Sequence, residues 1–92
     1  ALAVLSAAEE ADARAAAQRV ADAVRGQMAG GMVELRGPAK APIERVRGKW
    51  RYMVLLLSKS AGALARACAA ARGARVPRRV GLVIDIDPAA VL

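Results

Sequence analysis

One stretch constrains this chain more than any other. From Trp50 to Leu57 it reads Trp-Arg-Tyr-Met-Val-Leu-Leu-Leu, with Gly48 just before it and Ser58 just after. Successive side chains of a strand point to opposite faces. Trp50, Tyr52, Val54 and Leu56 therefore share one face, and Arg51, Met53, Leu55 and Leu57 share the other. Both faces become apolar toward the far end, as in a central strand covered on both sides there. The most apolar part, Met53 to Leu57, is far shorter than the roughly 20 residues of a helical membrane span. No membrane partner is expected.

The flanking segments build outward from that strand. Residues 1–7 read as a short apolar strand. Glu9, Glu10 and Asp12 then place negative charge where the first turn of a helix favours it, and Ser6 or Glu9 is placed to cap it. Through residues 9–28, Ala13, Ala17, Val20, Val24 and Met28 recur at helical spacing, with Asp12, Arg19 and Asp22 on the other side. Gly30-Gly31 is the expected stop. Met32 to Arg36 reads as a second strand, closed by Gly37-Pro38. Pro38 and Pro42 flank a stretch that cannot be a regular central strand. Ile43 to Arg47 resumes pairing as an edge, and Gly48 marks a turn or bulge. After Leu57, Ser58 or Ser60 caps a helix through Arg72, with Leu64 and Cys68 one turn apart on its inner face, and Gly73 stops it. Val80 to Ile86 is the last strand, with Val80, Leu82, Ile84 and Ile86 inward, and Pro88 ends it.

The order is β-α-β-β-α-β. Two strand–helix crossovers around a hairpin predict a split, ferredoxin-like α+β sandwich: a four-stranded sheet with both helices on one face and the other face open. At 92 residues, with no repeat or linker, a single domain over 1–92 is expected. The chain opens directly on a strand, without an initiator Met or a basic leader segment, so it reads as a piece of a longer protein.

Composition narrows the chemistry. The chain has no Phe and one each of Trp and Tyr, so Ala, Val, Leu, Ile and Met must make the core. It has no His, Thr or Asn and three Ser, which excludes Ser-His-Asp and Cys-His catalysis and His-based metal sites. Cys68 alone forms neither an internal disulfide nor a four-cysteine zinc site, and it reads as a small buried hydrophobe. Asp85 and Asp87 share a strand face, where carboxylates are commonly solvated or paired with arginine. Gly30-Gly31 lacks the Lys-Ser/Thr of a phosphate loop. Neither catalysis nor a cofactor is expected within this chain.

Charge is the strongest positive signal. Fifteen Lys and Arg against eight Asp and Glu give a net charge of +7, which suits a polyanion or an acidic protein surface. The cations cluster. Between Arg36 and Lys59 the chain holds Lys40, Arg45, Arg47, Lys49 and Arg51 against the single acid Glu44. A second acid-free stretch holds Arg66, Arg72, Arg75, Arg78 and Arg79. Arg45, Arg47, Lys49 and Arg51 alternate, which would align four cations on one side of an extended strand for phosphate neutralisation. The competing reading is a charged strip that blunts an edge strand. Trp50 and Tyr52 share a face: they could stack bases, pack the core under the helices, or dock a neighbouring domain.

The run from Gly37-Pro38-Ala39-Lys40-Ala41-Pro42-Ile43 to Lys49-Trp50-Arg51-Tyr52, with Asp85-Ile86-Asp87-Pro88 near the end, resembles the C-terminal domain of primosomal protein N′, the bacterial replication-restart helicase. That family carries Gly-Pro-x-x-Ala-Pro before an apolar residue. A basic stretch of pattern Arg-x-Gly-Arg-aromatic-Arg-aromatic follows, and a closing strand ends in Asp-x-Asp-Pro. The likeness spans essentially the whole chain. It implies a βαββαβ fold similar to a small-subunit ribosomal protein, and a role in binding forked or branched DNA. It further implies contact with the single-stranded-DNA-binding protein, with other primosome proteins and with the parent's helicase domains. The ATP-dependent 3′-5′ helicase activity and the zinc sites of that family belong to upstream domains. A bacterial, cytoplasmic, nucleoid-associated setting, in DNA replication and repair, follows from the same likeness.

By position, the resemblance lays Arg45, Arg47, Lys49 and Arg51 along DNA, with Lys40 nearby. Arg72, Arg75, Arg78 and Arg79 add cations from the second basic stretch. Some members place an Arg at the start of the second helix, where it helps hold the acidic tail of the single-stranded-DNA-binding protein. Here that position is Ala61, with Lys59 close by. Lys59, Trp50 and Tyr52 are the expected partner-binding residues, and the open sheet face is expected to pack on the parent's helicase core. The expectation is thus a non-catalytic DNA-binding and docking domain. Its main rival is a protein-interaction module that takes an acidic peptide tail and scarcely touches DNA. An RNA-binding module of ribosomal-protein type and a small-molecule sensor share the fold class.

Overall fold

A computed structural model of the chain describes residues 1–26 and 32–85; the side chains of residues 42–45 lie outside that description. Six elements follow in order: β1 (Leu2–Ala7), α1 (Glu10–Arg25), β2 (Glu34–Val46), β3 (Lys49–Leu57), α2 (Ala61–Arg72) and β4 (Gly81–Asp85). The strands form one antiparallel sheet of order β2-β3-β1-β4. This is the expected split βαββαβ arrangement, with β3 and β1 at the centre.

Alternation decides which residues meet the helices. On β1, Ala3, Leu5 and Ala7 are buried while Leu2, Val4 and Ser6 are only half covered. Tyr52, Val54 and Leu56 of β3 join the same buried face. Above it lie Ala13, Ala16, Ala17, Val20, Ala21 and Val24 of α1, and Ala63, Leu64, Ala67, Cys68 and Ala71 of α2. All belong to one core, whose largest fully buried side chains are Leu5, Leu56, Val20, Val24, Val54 and Cys68. Alanine dominates both helix faces, so the helix backbones sit close over the sheet and little side-chain volume is needed between the layers.

The helix ends obey local chemistry. Glu10 and Asp12 occupy the first turn of α1 and Arg25 its last, each complementing the helix dipole. Glu9 is the N-cap, but its side chain makes no capping bond. At α2 the cap is Ser60, whose Oγ accepts from the Ala63 N–H at 3.2 Å. Ser58 Oγ instead donates to the Met32 carbonyl at 2.6 Å, tying the entrance of α2 to the entrance of β2.

Several boundaries differ from those expected. α1 ends at Arg25 with Gly26 as its cap, not near residue 28, because glycine is a poor helix former and a good terminator. Met28 and Gly30-Gly31 lie outside the described residues. β2 does not close at Gly37-Pro38. It continues to Val46 as one edge strand, with register shifts between Arg36 and Ala39 and between Lys40 and Arg45. The irregularities absorb Pro38 and Pro42, as an edge strand allows. The far face of β3 is not covered: Met53, Leu55 and Leu57 are half-exposed. The last strand starts at Gly81 with Val80 buried before it; Ile86, Asp87 and Pro88 lie outside the described residues.

Two glycines are dictated by geometry. Val46 pairs with Lys49, leaving Arg47 and Gly48 as a two-residue loop with φ of 52° and 76°. Positive φ at both positions is the type I′ turn favoured by the twist of a hairpin, so Gly48 makes a turn and not a bulge. Gly37 has φ of 103° and a cis bond to Pro38, and a β-carbon there would lie 2.8 Å from the Met53 carbonyl oxygen. Gly48 has open space around it. Gly48→Ala should therefore cost only the left-handed backbone penalty, about 1 kcal/mol, whereas Gly37→Ala should cost clearly more through the added clash. Urea unfolding followed by circular dichroism measures both, and equal losses would refute the steric account.

Candidate functional site

Strand direction sorts the charges. β1 ends at Ala7 opposite Trp50, and β4 begins at Gly81 opposite Ser6. The β2–β3 hairpin tip, the first turn of α1 and the loop from α2 to β4 therefore share one end of the sandwich. The two basic stretches, far apart in the chain, converge there. Lys59 sits at the opposite end, exposed between β3 and α2, so it does not join them. Ala61, the first residue of α2, is exposed beside it.

The hairpin corrects one expectation in detail. Because the chain reverses at Arg47-Gly48, Arg45, Arg47, Lys49 and Arg51 do not line one side of a single strand. Arg45 lies on β2 and pairs with Trp50, while Lys49 and Arg51 lie on β3 and Arg51 pairs with Ser6; the Arg45 side chain is outside the described set. On the open face, Arg47, Lys49 and Arg51 surround a shallow hollow of about 500 Å³, with Ser6 and Val46 as its other walls. Arg47 and Lys49 are exposed, and Arg51 is half-buried.

The remaining cations are partly committed to α1. Lys40 pairs across the sheet edge with Tyr52 and reaches Glu10, Nζ to Oε2 at 3.4 Å. Tyr52 Oη donates to the same carboxylate oxygen at 3.4 Å. Arg79, from the other basic stretch, grips Asp12 with two bonds, Nε to Oδ2 at 2.8 Å and Nη2 to Oδ1 at 3.1 Å. The first turn of α1 thus touches one cation from each stretch and lies between them. Arg19 Nη1 donates to the Arg75 carbonyl at 3.0 Å, which holds the backbone of the second loop against α1. Arg72, Arg75 and Arg78 are exposed.

Of the two aromatics, Tyr52 is 5% exposed and packs beneath α1. It is a core residue with its hydroxyl at the rim, and it has no face to offer a partner. Trp50 is half-buried at the end of the same row, packed against the core. The expectation that both bind a partner is therefore corrected for Tyr52: its position on β3 puts it under the helix layer.

Among the described residues, no group of three or more His, Cys, Asp or Glu side chains could hold a metal ion. Among the same described residues, no helix is long and apolar enough to cross a membrane. Cys68 is buried and unpaired. The part the sequence reading missed is the row Arg51–Ser6–Gly81 across the open face. Nothing in Ser6 or Gly81 marks it before strand register is known.

Fold and charge together define the class: a small, strongly basic α+β domain of ferredoxin-like topology, with cations from two sequence stretches brought to one end of the sheet. The family model for the primosomal protein N C-terminal domain matches residues 1–89, and the chain belongs to that family. Among curated proteins, none matches the chain.

The Asp12–Arg79 pair gives this end a pH dependence. The hydrogen bond from Arg79 holds the Asp12 carboxyl below its ordinary value, and the same bond raises Arg79. A carboxylate whose folded pKa is depressed adds stability that is complete above its unfolded pKa and is lost as pH falls through the folded value. Unfolding midpoints should therefore drop below about pH 4, and Asp12→Asn should lower stability slightly at pH 7 and flatten that acid drop. Urea melts from pH 2.5 to 7 test this, and identical acid limbs in the two proteins would count against the pair.

Proposed function

We propose that this domain is a non-catalytic DNA-binding and docking module of a replication-restart helicase, binding forked or branched DNA by its basic end. The observation that carries the reading is the convergence of cations from two basic stretches, which hold a single acid, Glu44, between them, at one end of the sheet. Phosphate contacts come from Arg45, Arg47, Lys49 and Arg51 on the hairpin, from Arg72 at the end of α2 and from Arg75 and Arg78 on the loop after it. Each phosphate neutralised releases condensed counterions, which drives binding and makes it salt-dependent. Few polar side chains are present to read base edges, so recognition follows DNA shape.

Lys40 and Arg79 have a different role in this reading. Their ion pairs with Glu10 and Asp12 make them positioning residues that brace the two basic segments against α1. ATP hydrolysis, strand separation and zinc binding are assigned to upstream parts of the parent, and the single-stranded-DNA-binding protein and other primosome proteins are its expected partners. A second reading, docking onto the parent's helicase core with little DNA contact, is favoured by the open face, where Val83 is 65% exposed and Met53, Leu55 and Leu57 are half-exposed. Apolar surface of that kind commonly marks a protein contact.

Fluorescence anisotropy against forked, single-stranded and linear duplex DNA at two salt concentrations separates these readings. The wild-type chain should bind with a steep salt slope. Arg47→Gln with Lys49→Gln should reduce that slope by about two. Arg79→Gln should lower the unfolding midpoint and leave the slope nearly unchanged. Absence of binding to all three DNAs at low salt would leave only the docking reading.

A further inference from the structure

The open face carries side chains in rows set by strand register. The row nearest the basic end is Arg51–Ser6–Gly81, and the next is Met53–Val4–Val83. The first row shrinks from arginine to serine to glycine. The second keeps three apolar side chains, of which Val83 is the most exposed at 65%. Rows on one face lie two residues apart, about 7 Å along the strands. The hollow walled by Ser6, Arg47, Lys49 and Arg51 adjoins Gly81, which has no side chain to close it, so register and residue size make a trough of the first row with the apolar row beside it.

We infer that this trough seats one unpaired strand of nucleic acid, with its phosphates beside Arg47, Lys49 and Arg51 and its bases lying on Met53, Val4 and Val83. The inference rests on the DNA-binding reading above and names the part of a fork it engages. Three observations favour a single strand. The trough is one row wide, too narrow to enclose a duplex. A cationic end next to an apolar wall suits a chain that is charged on one side and apolar on the other. A duplex keeps its base faces stacked inside, whereas a single strand can lay them on a surface. An extended acidic peptide fits less well. Beneath the trough β3 and β1 are paired on both sides, and the free edge of β4 lies in the plane of the sheet and not on its face, so the trough itself has no free ladder of backbone groups for strand addition.

Gly81 gives a test that leaves charge unchanged. A β-carbon at this position would lie 3.1 Å from Ser6 Oγ, the movable end of a side chain, and the backbone there is in an ordinary strand conformation. Gly81→Val should therefore fold and plug the trough. Anisotropy is read with a labelled oligothymidine, a blunt duplex and an acidic decapeptide, on the wild-type chain, on Gly81→Val and on Arg51→Gln, with circular dichroism as the check on folding.

The expected result is that Gly81→Val weakens oligothymidine binding about tenfold or more while duplex binding holds, and that Arg51→Gln weakens the oligothymidine as well. Should Gly81→Val fail to fold, Gly81→Ala and the uncharged Val83→Gln carry the same comparison. Equal oligothymidine binding by plugged and open forms overturns the trough but leaves phosphate binding by the basic end intact. Tight binding of the acidic peptide, sensitive to the plug, with no oligothymidine binding assigns the trough to a protein segment and also overturns the inference. Failure of every DNA to bind the wild-type chain removes the DNA-binding reading itself.

Discussion

The close seating of two alanine-faced helices on the inner side of the sheet is the contact on which the rest of this structure depends. Ala13, Ala16, Ala17 and Ala21 of α1 and Ala63, Ala67 and Ala71 of α2 share one core with Ala3, Leu5 and Ala7 of β1. With no phenylalanine in the chain, the layers can be filled only if they approach closely. That makes the core intolerant of added volume, since overpacking a close-packed interior forces side chains and backbone off their minima. It also fixes where α1 begins relative to the strands, and the charged end inherits its geometry from that.

α1 starts at the end of the sheet where the hairpin turns and where β4 begins. Its first-turn acids suit the helix dipole, and the same two carboxylates reach Lys40 and Arg79. One short segment therefore caps its own helix electrostatically and braces two basic segments that are distant in sequence. These are exposed pairs, worth little singly. Their importance is positional: they hold Lys40 and Arg79 toward the helix layer, while Arg47, Lys49 and Arg51 gather on the open face. The basic end thus has two sides of different character, which a count of charges cannot distinguish.

Much of this was legible in advance, for a physical reason in each case. The strand at 50–57 and the helices were written in periodicity, and the order of elements with right-handed crossovers leaves little freedom in topology. The structure ends the first helix at Arg25 and makes Ser60 the cap of the second. A helix through residues 9–28 and a cap at Ser58 or Ser60 followed from apolar spacing and local hydrogen-bonding chemistry. The second strand did not, because its prolines read as breaks when an edge strand can absorb them as bulges. Tyr52 was readable as core or as contact surface, and burial under α1 settled it. The alternating cations read as one line in the sequence, yet the turn at Arg47-Gly48 folds that line back on itself.

The sequence by itself determined the element order, the composition of the core, the exclusion of His-based and triad chemistry, and the family. These depend on local periodicity, residue inventory and motif spacing, all of which survive without coordinates. Only the tertiary structure decided that the two basic stretches share one end of the sheet, that Lys40 and Arg79 are drawn to α1, and that Ser6 and Gly81 stand in one row with Arg51. Those facts depend on strand register and on which end of the sheet each connection occupies. Both are set by long-range pairing between segments that carry no mark of one another.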